Sequence, residues 1–295
     1  YLTACIESTI KLAADRTVVF IVNDPTQFHS LKAPNLFILS FDDLASNDFY
    51  EVTRRYEHLS TNHLEFELFS ICSYFLIEKL ISLLEVEYFH IIEGDTLLLR
   101  NISEFDSDLP PIYLSNFKTC CFAKLDKKLI SHYCLVAKEM YMNENILDSL
   151  RSDYRKRLEM NHSGGFNDMT IWHIIQNDSY GLGVKEAWGR CDIAINSSIC
   201  DHFYHLNDRK YLESRSLPLD IVSTHHEIST DGEIKEFQGK LIKCIKKDDS
   251  LKLYYVSNND TDVRVNTVQF GGSYKTVMVY IWNKIKSAPE GVSYV

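Results

Sequence analysis

The sequence of 295 residues holds eight cysteines but no C-x-x-C pair. Cys5, Cys72, Cys120, Cys121, Cys134, Cys191, Cys200 and Cys244 are scattered, which removes the ligand spacing that a zinc site needs. Most of them, Cys72 and Cys134 among them, sit between apolar neighbours, where a free thiol packs as a small hydrophobe. We therefore expect reduced thiols and a reducing, cytoplasmic setting, although an even count in an oxidising lumen would read the same way. Basic charge is also scarce. A formal net charge of -10 disfavours a nucleic-acid partner, which would need a basic face. There is no block of like charge, no internal repeat and no low-complexity segment. No apolar run is long and clean enough for a membrane span, because the longest, Phe66 to Leu84, is interrupted by Glu67, Glu78 and Lys79 and reads as a core helix. No signal peptide is visible at Tyr1. The chain opens on a helix where an α/β domain would open on a strand, so part of the natural protein is expected upstream.

What is present is enough apolar content, 45% of the chain, for a substantial core. The order of elements predicts one α/β domain. Leu2 to Ala14 has helical spacing, with Leu2, Ile6 and Ile10 on one face. Thr17 to Val22 reads as a buried strand stopped by Asn23-Asp24-Pro25, and Asn35 to Ser40 as a second strand. Asp24, at a strand end, has two readings: a contact to a nucleotide base or ribose, or a plain turn residue. A short helix over Phe49 to Leu59 and a long one over Leu64 to Leu84 follow, the latter with Phe66, Phe69, Ile77, Leu80, Ile81 and Leu84 as its apolar face. Alternation of strand and helix predicts parallel strands with right-handed crossovers. Helices are expected over Leu125 to Tyr141 and Asn145 to Leu158. The tail, from Glu233 to Phe270, is rich in strands separated by turn residues.

The stretch Tyr88 to Ile102 organises the rest. An apolar run breaks on Glu93-Gly94-Asp95 and resumes as Leu97-Leu98-Leu99, which describes a buried strand with two carboxylates at its carboxyl end. Ligands of open α/β sheets bind at that end, and two carboxylates one residue apart can converge on a hard cation and, through it, on phosphate oxygens. Glycine between them lets the backbone bend. A second motif is His162-Ser163-Gly164-Gly165-Phe166-Asn167-Asp168-Met169-Thr170. Here Asn167 or Asp168 can cap the helix that follows, or Asp168, beside two glycines, can face a ligand. A third is Gln269-Phe270-Gly271-Gly272-Ser273-Tyr274-Lys275, where glycines let main-chain N–H groups approach an anion and Lys275 can reach its oxygens.

Together these stretches resemble the glycosyltransferases of the GT-A fold that use nucleotide sugars. Glu93-Gly94-Asp95 is similar to their Asp-x-Asp motif, with Glu93 one methylene longer. The runs Tyr56 to Asn62, Phe66 to Phe69 and Tyr74 to Leu76 resemble the preceding helix in a bacterial and viral group of the family, with Ser73 where a basic residue is usual. Gly164 to Thr170 resembles that group's Gly-Gly-x-x-Asp-Met-Thr run, and Asp201-His202 a shorter element. The closing segment resembles His-Phe-x-Gly-x-x-Lys, with Gln269 in the histidine position.

The resemblance implies a GT-A-like α/β fold: a mostly parallel central sheet flanked by helices, a Rossmann-like nucleotide-binding half over 1–102, and an acceptor-side half over 103–295 with a C-terminal β-hairpin region. It implies a nucleoside diphosphate sugar donor, with uridine as the base, a glycan or other hydroxyl acceptor, and manganese or magnesium held by Asp95, Glu93 and Gln269. Asp24, Gly271, Gly272 and Lys275 would join Glu93 and Asp95 around the donor, with Lys275 against the leaving diphosphate. Asp168 would meet the sugar or the acceptor hydroxyl, as the general base if the enzyme inverts. Two other classes stay open: a sugar nucleotidyltransferase, and a degenerate transferase that binds a glycan or a partner.

Overall fold

The computed structural model describes residues 1–108, 113–114, 122–162, 164–177, 199–202, 225–228, 234–238, 242–247, 250–256, 262–263, 267–269 and 275–294. Helix α1 (Leu2–Leu12) buries Ala4, Cys5, Ile6 and Leu12. Strands β1 (Val18–Val22) and β2 (Leu36–Ser40) pair in parallel, Val18 opposite Leu36 and Val22 opposite Ser40. Ser40 then caps α2 (Phe41–Leu44) in a capping box with Asp43, and Ser46 caps α3 (Asn47–Arg55) through the Phe49 N–H. The long helix α4 (Leu64–Leu84) leads into β3 (Tyr88–Ile92), the acidic turn and β4 (Thr96–Leu98).

Next come β5 (Tyr113–Leu114), β6 (Phe122–Asp126), α5 (Lys127–Met142) and α6 (Glu144–Glu159), with α7 (Asp168–Asn177) after the glycine pair. Asp126 caps α5 by accepting the Leu129 N–H at 2.7 Å. The remaining described strands are β7 (Ile199–His202), β8 (His225–Ile228), β9 (Ile234–Gln238), β10 (Ile242–Lys247), β11 (Ser250–Val256), β12 (Asp262–Val263) and β13 (Thr267–Gln269). Helix α8 (Lys275–Ser287) and β14 (Gly291–Tyr294) close the chain. Helix α8 is an element that the expected pattern of hairpins omitted.

The chain is thus mixed α/β, but the expected mostly parallel central sheet is not what the described residues form. β3 pairs antiparallel with β6, and β4 pairs antiparallel with β13, which in turn runs parallel to β7. Among the described residues, only β1 and β2 form the parallel pair that strand-helix-strand order predicts. A helix between two strands permits a parallel neighbour without requiring one, and here a strand from later in the chain takes the place beside β3.

The core lies where α3 to α7 meet β3 and β6. Tyr74 of α4, Tyr133 of α5 and Trp172 of α7 form its centre, with ring centroids 4.0 to 5.6 Å apart and the indole N–H donating to the Tyr74 hydroxyl at 3.4 Å. This cluster holds the start of α7 against α4. The face of α4 differs from expectation. Of the expected face Ile81 is buried and Ile77 packs on the core, but Ile71, Cys72, Tyr74, Phe75 and Leu76 also turn inward, whereas Phe66 and Phe69 are 60% and 48% exposed and Leu84 is also exposed. Apolar residues line most of the circumference of this helix, so periodicity finds a stripe without finding the buried one. Among the described residues no helix is long and apolar enough to cross a membrane. Cys5, Cys72, Cys134 and Cys244 are buried free thiols.

Candidate active site

The acidic turn is built on α1. The Thr96 N–H donates to the Glu93 carbonyl at 3.0 Å and closes the turn, while the Cys5 thiol donates to the same carbonyl at 3.4 Å. Burial pushes that thiol up to about 12, so it stays protonated and able to donate. Gly94 faces α1 so closely that a Cβ there would press on the end of the Leu2 side chain. Helix α1 is fastened on its other side to α8, because the Glu7 carboxylate accepts from the Trp282 indole at 2.7 Å and pairs with Lys286 at 2.6 Å. Lys275, the first residue of α8, thereby arrives at the acidic turn. Its Nζ lies 3.4 Å from Asp95 Oδ2 and 4.7 Å from the centre of the Tyr1 ring.

The glycine pair forms a strap over the loop before α4. The Phe166 N–H donates to the Leu59 carbonyl, the Thr61 N–H to the Gly164 carbonyl, and the Gly164 N–H to the Thr61 hydroxyl at 2.7 Å. Gly164 has φ +84°, in the region that glycine alone enters freely, and Gly165 lies so flat on the loop that a Cβ would overlap the Leu59 carbonyl and the Ser60 Cα. Gly164→Ala is therefore expected to cost about 1 kcal/mol in conformation. Gly165→Ala should cost about 3 kcal/mol through overpacking against a backbone that cannot yield. Denaturant midpoints of the two variants check the ranking. Beyond the strap, Asn167 takes the capping role by accepting the Thr170 N–H at 3.3 Å, so the Asp168 side chain is not needed as the cap through Thr170.

Asp168 meets the acidic turn electrostatically. Burial and the neighbouring charges of Asp168 and Asp95 push the Glu93 carboxyl up to about 8, against the pull of Lys275. Burial raises Asp168 to about 7, opposed by the N–H groups at its own helix start and by the Ser70 hydroxyl, and reinforced by the charge of Glu67. Three carboxylates and one lysine from widely separated parts of the sequence thus share one neighbourhood. Their oxygen donors are of the kind that manganese and magnesium take. Any cation here would need further oxygens, such as those of a phosphate, to complete its shell. Among the described residues, no three His, Cys, Asp or Glu side chains stand close enough to hold an ion by themselves.

The other expected site residues divide. Gln269 is carried by β13 directly opposite Thr96, so its backbone runs beside the acidic turn. Its side chain, and the whole of Gly271 and Gly272, lie outside the described residues. Asp24 is drawn into its own turn: Oδ1 accepts from the Thr26 N–H and hydroxyl, and Oδ2 from the Gln27 amide. Those bonds also hold its carboxyl below the usual range, and they favour the turn reading over a nucleotide contact. Sequence reasoning missed Glu67. It falls on the same helical stripe as Ile71, Tyr74 and Phe75, and a carboxylate on an otherwise buried stripe was the available signal. No family model, curated protein or solved structure matches this chain.

Proposed function

We propose that the chain is a metal-dependent glycosyltransferase that moves a sugar from a nucleoside diphosphate sugar, of the uridine type, to a hydroxyl acceptor on a glycan. The observation that carries this reading is the meeting of Asp95, Glu93, Asp168 and Lys275, whose neighbourhood includes the 3.4 Å Lys275–Asp95 pair. Each belongs to a different stretch of the GT-A resemblance, except the first two, which share one. The finer GT-A architecture is part of the same proposal, supported by β13 running beside the acidic turn. A cytoplasmic setting accords with the buried free thiols.

In this mechanism Asp95, with Glu93, would hold manganese or magnesium, which would supply positive charge for the donor phosphates. Gln269, on the adjoining strand, is the third candidate ligand. Lys275 stabilises the diphosphate as its charge grows during departure. Asp168 accepts the proton of the acceptor hydroxyl as the new C–O bond forms and the bond from sugar to diphosphate breaks. A carboxyl raised to about 7 is matched to taking a proton near neutral pH. Asp168→Asn is expected to slow turnover about a thousandfold while changing nucleotide affinity by less than threefold. Single-turnover rates and calorimetric titration with nucleoside diphosphate check it, and equal loss of both would make Asp168 a structural residue.

The test of the activity is a panel of nucleotide sugars with manganese, read as released nucleoside diphosphate. Release with one donor is the expected result. No release together with no nucleotide binding would overturn the reading in favour of a partner-binding protein. Pyrophosphate formed from a nucleoside triphosphate and a sugar phosphate would assign a nucleotidyltransferase instead.

A further inference from the structure

Strands β1 and β3 carry apolar runs of the kind that interior strands carry, yet neither is covered like one. Within β1 only Val22 is buried and within β3 no residue is, whereas the neighbouring β6 is buried at four of its five positions. Each is also an edge strand among the described residues, since β1 pairs with β2 alone and β3 with β6 alone. Helix α1 bridges the two edges. Past its C-terminal end, the Asn35 amide donates to the Ala13 and Arg16 carbonyls at 3.1 and 3.0 Å, and Arg16 pairs with Asp106, which also meets His90 of β3. At its N-terminal end, Leu2 lies against Gly94 and the Cys5 thiol reaches the Glu93 carbonyl, both just beyond β3. The strands also point the same way. Phe41, directly after β2, stacks at 5.2 Å on Phe69 in the first half of α4, and it is the far end of α4 that feeds β3. The carboxyl ends of β1, β2 and β3 therefore share one end of the molecule.

We propose that the space under α1 between β1 and β3 holds one further strand, parallel to both, formed by the residues that precede Tyr1 in the natural polypeptide. The two edges carry the argument. Backbone N–H and C=O groups beside half-covered apolar side chains are satisfied by a neighbouring strand at about 4.8 Å, which also covers those side chains. Direction and connection select the occupant. Two parallel strands joined by a helix lie in one sheet, with the helix packed over it in a right-handed crossover, and α1 already packs over this space. A strand placed here in parallel ends beside Gly94, where α1 begins, so its covalent link into Tyr1 is a short turn. A strand paired on both edges and covered by a helix reads as a near-continuous apolar run. About five residues match the length of its neighbours. Its carboxyl end opens beside Glu93-Gly94-Asp95, and the turn into Tyr1 becomes a wall of the candidate site.

The test compares the polypeptide translated from its own initiator with the chain cut to begin at Tyr1, by amide hydrogen exchange read residue by residue. In the full polypeptide the β1 and β3 amides that point away from β2 and β6 are expected to exchange about a hundredfold more slowly than in the cut chain, because exchange reports local opening. Equal protection in the two would overturn the proposal. So would a natural polypeptide that has no residues before Tyr1, or only polar and charged ones. Protection that rises with concentration in the cut chain would assign the edge to a second copy and overturn the proposed occupant. If the cut chain does not fold, the full polypeptide decides: nuclear Overhauser contacts are expected from the upstream strand to both β1 and β3, and their absence overturns the proposal too. No substrate enters these measurements, so their outcome is independent of the transferase reading.

Discussion

Asp95→Asn is expected to reduce turnover of any nucleotide-sugar donor by about a thousandfold or more, with the fold intact. The side chain keeps its shape and loses its charge. Two unit charges of opposite sign at 4 Å attract by about 4 kcal/mol at an effective dielectric near 20, and each 1.4 kcal/mol or so is a factor of about ten in rate. Asp95 has two such attractions to lose, one toward Lys275 at 3.4 Å and one toward the cation it would share with the donor diphosphate. The lysine arm explains why the loss should exceed weaker metal binding. Without Asp95, Lys275 is free to turn toward the Tyr1 ring over which it already lies, and the leaving group meets a less well-aimed ammonium. Turnover at saturating manganese, together with circular dichroism and the denaturant midpoint, separates chemistry from folding. Full activity in this variant would rule out the assigned role.

The second large effect is on stability against pH. In the folded, metal-free protein the Glu93 carboxyl is raised from 4.5 to about 8. The native state therefore keeps a proton that the unfolded chain has released above its ordinary carboxylate range. Stability falls as pH rises from about 4.5 to about 8 and levels off beyond, because the native state binds more protons throughout that window. Glu93→Gln removes the contribution. The variant should match wild type near pH 4 and exceed it at pH 8 by an amount on the order of 4 kcal/mol. Asp168, raised to about 7, adds a drop of the same sign over a lower window. Manganese added at pH 8 should recover part of the loss in wild type and less in Glu93→Gln, since a ligand that binds only the native state stabilises it. Urea unfolding at three pH values, with manganese or with a chelator, measures both. A wild-type stability that rises between pH 5 and 8 would mean that Glu93 is ionised and solvated in the native state.

The buried stripe of α4 illustrates why some features were legible and others were not. The spacing of apolar residues identified the helix, since a 3.6-residue period is a property of neighbours in the chain. Which side of the helix is covered depends on α5 and α7, which come more than forty residues later. The same distinction separates Asn167 from Asp168. Both suit a helix start by residue type, and only the packing of Trp172 against Tyr74 and Tyr133 decides how α7 is seated and which of the two meets the acidic turn.

By itself the sequence determined what local chemistry determines: the acidic break between β3 and β4, the glycine pair before α7, the lysine that follows Gly271-Gly272, and most helix and strand spans. These follow from residue type and short-range spacing, which hold whatever the rest of the chain does. Tertiary structure alone decided that β3 lies against β6 and β4 against β13, that Lys275 pairs with Asp95, that Asp24 closes its own turn, and that Glu67 is buried next to Asp168. Such outcomes depend on which distant surfaces exclude water from one another. Burial also makes the two central carboxyls hold their protons so much more tightly, because a charge loses hydration only when remote parts of the chain close around it.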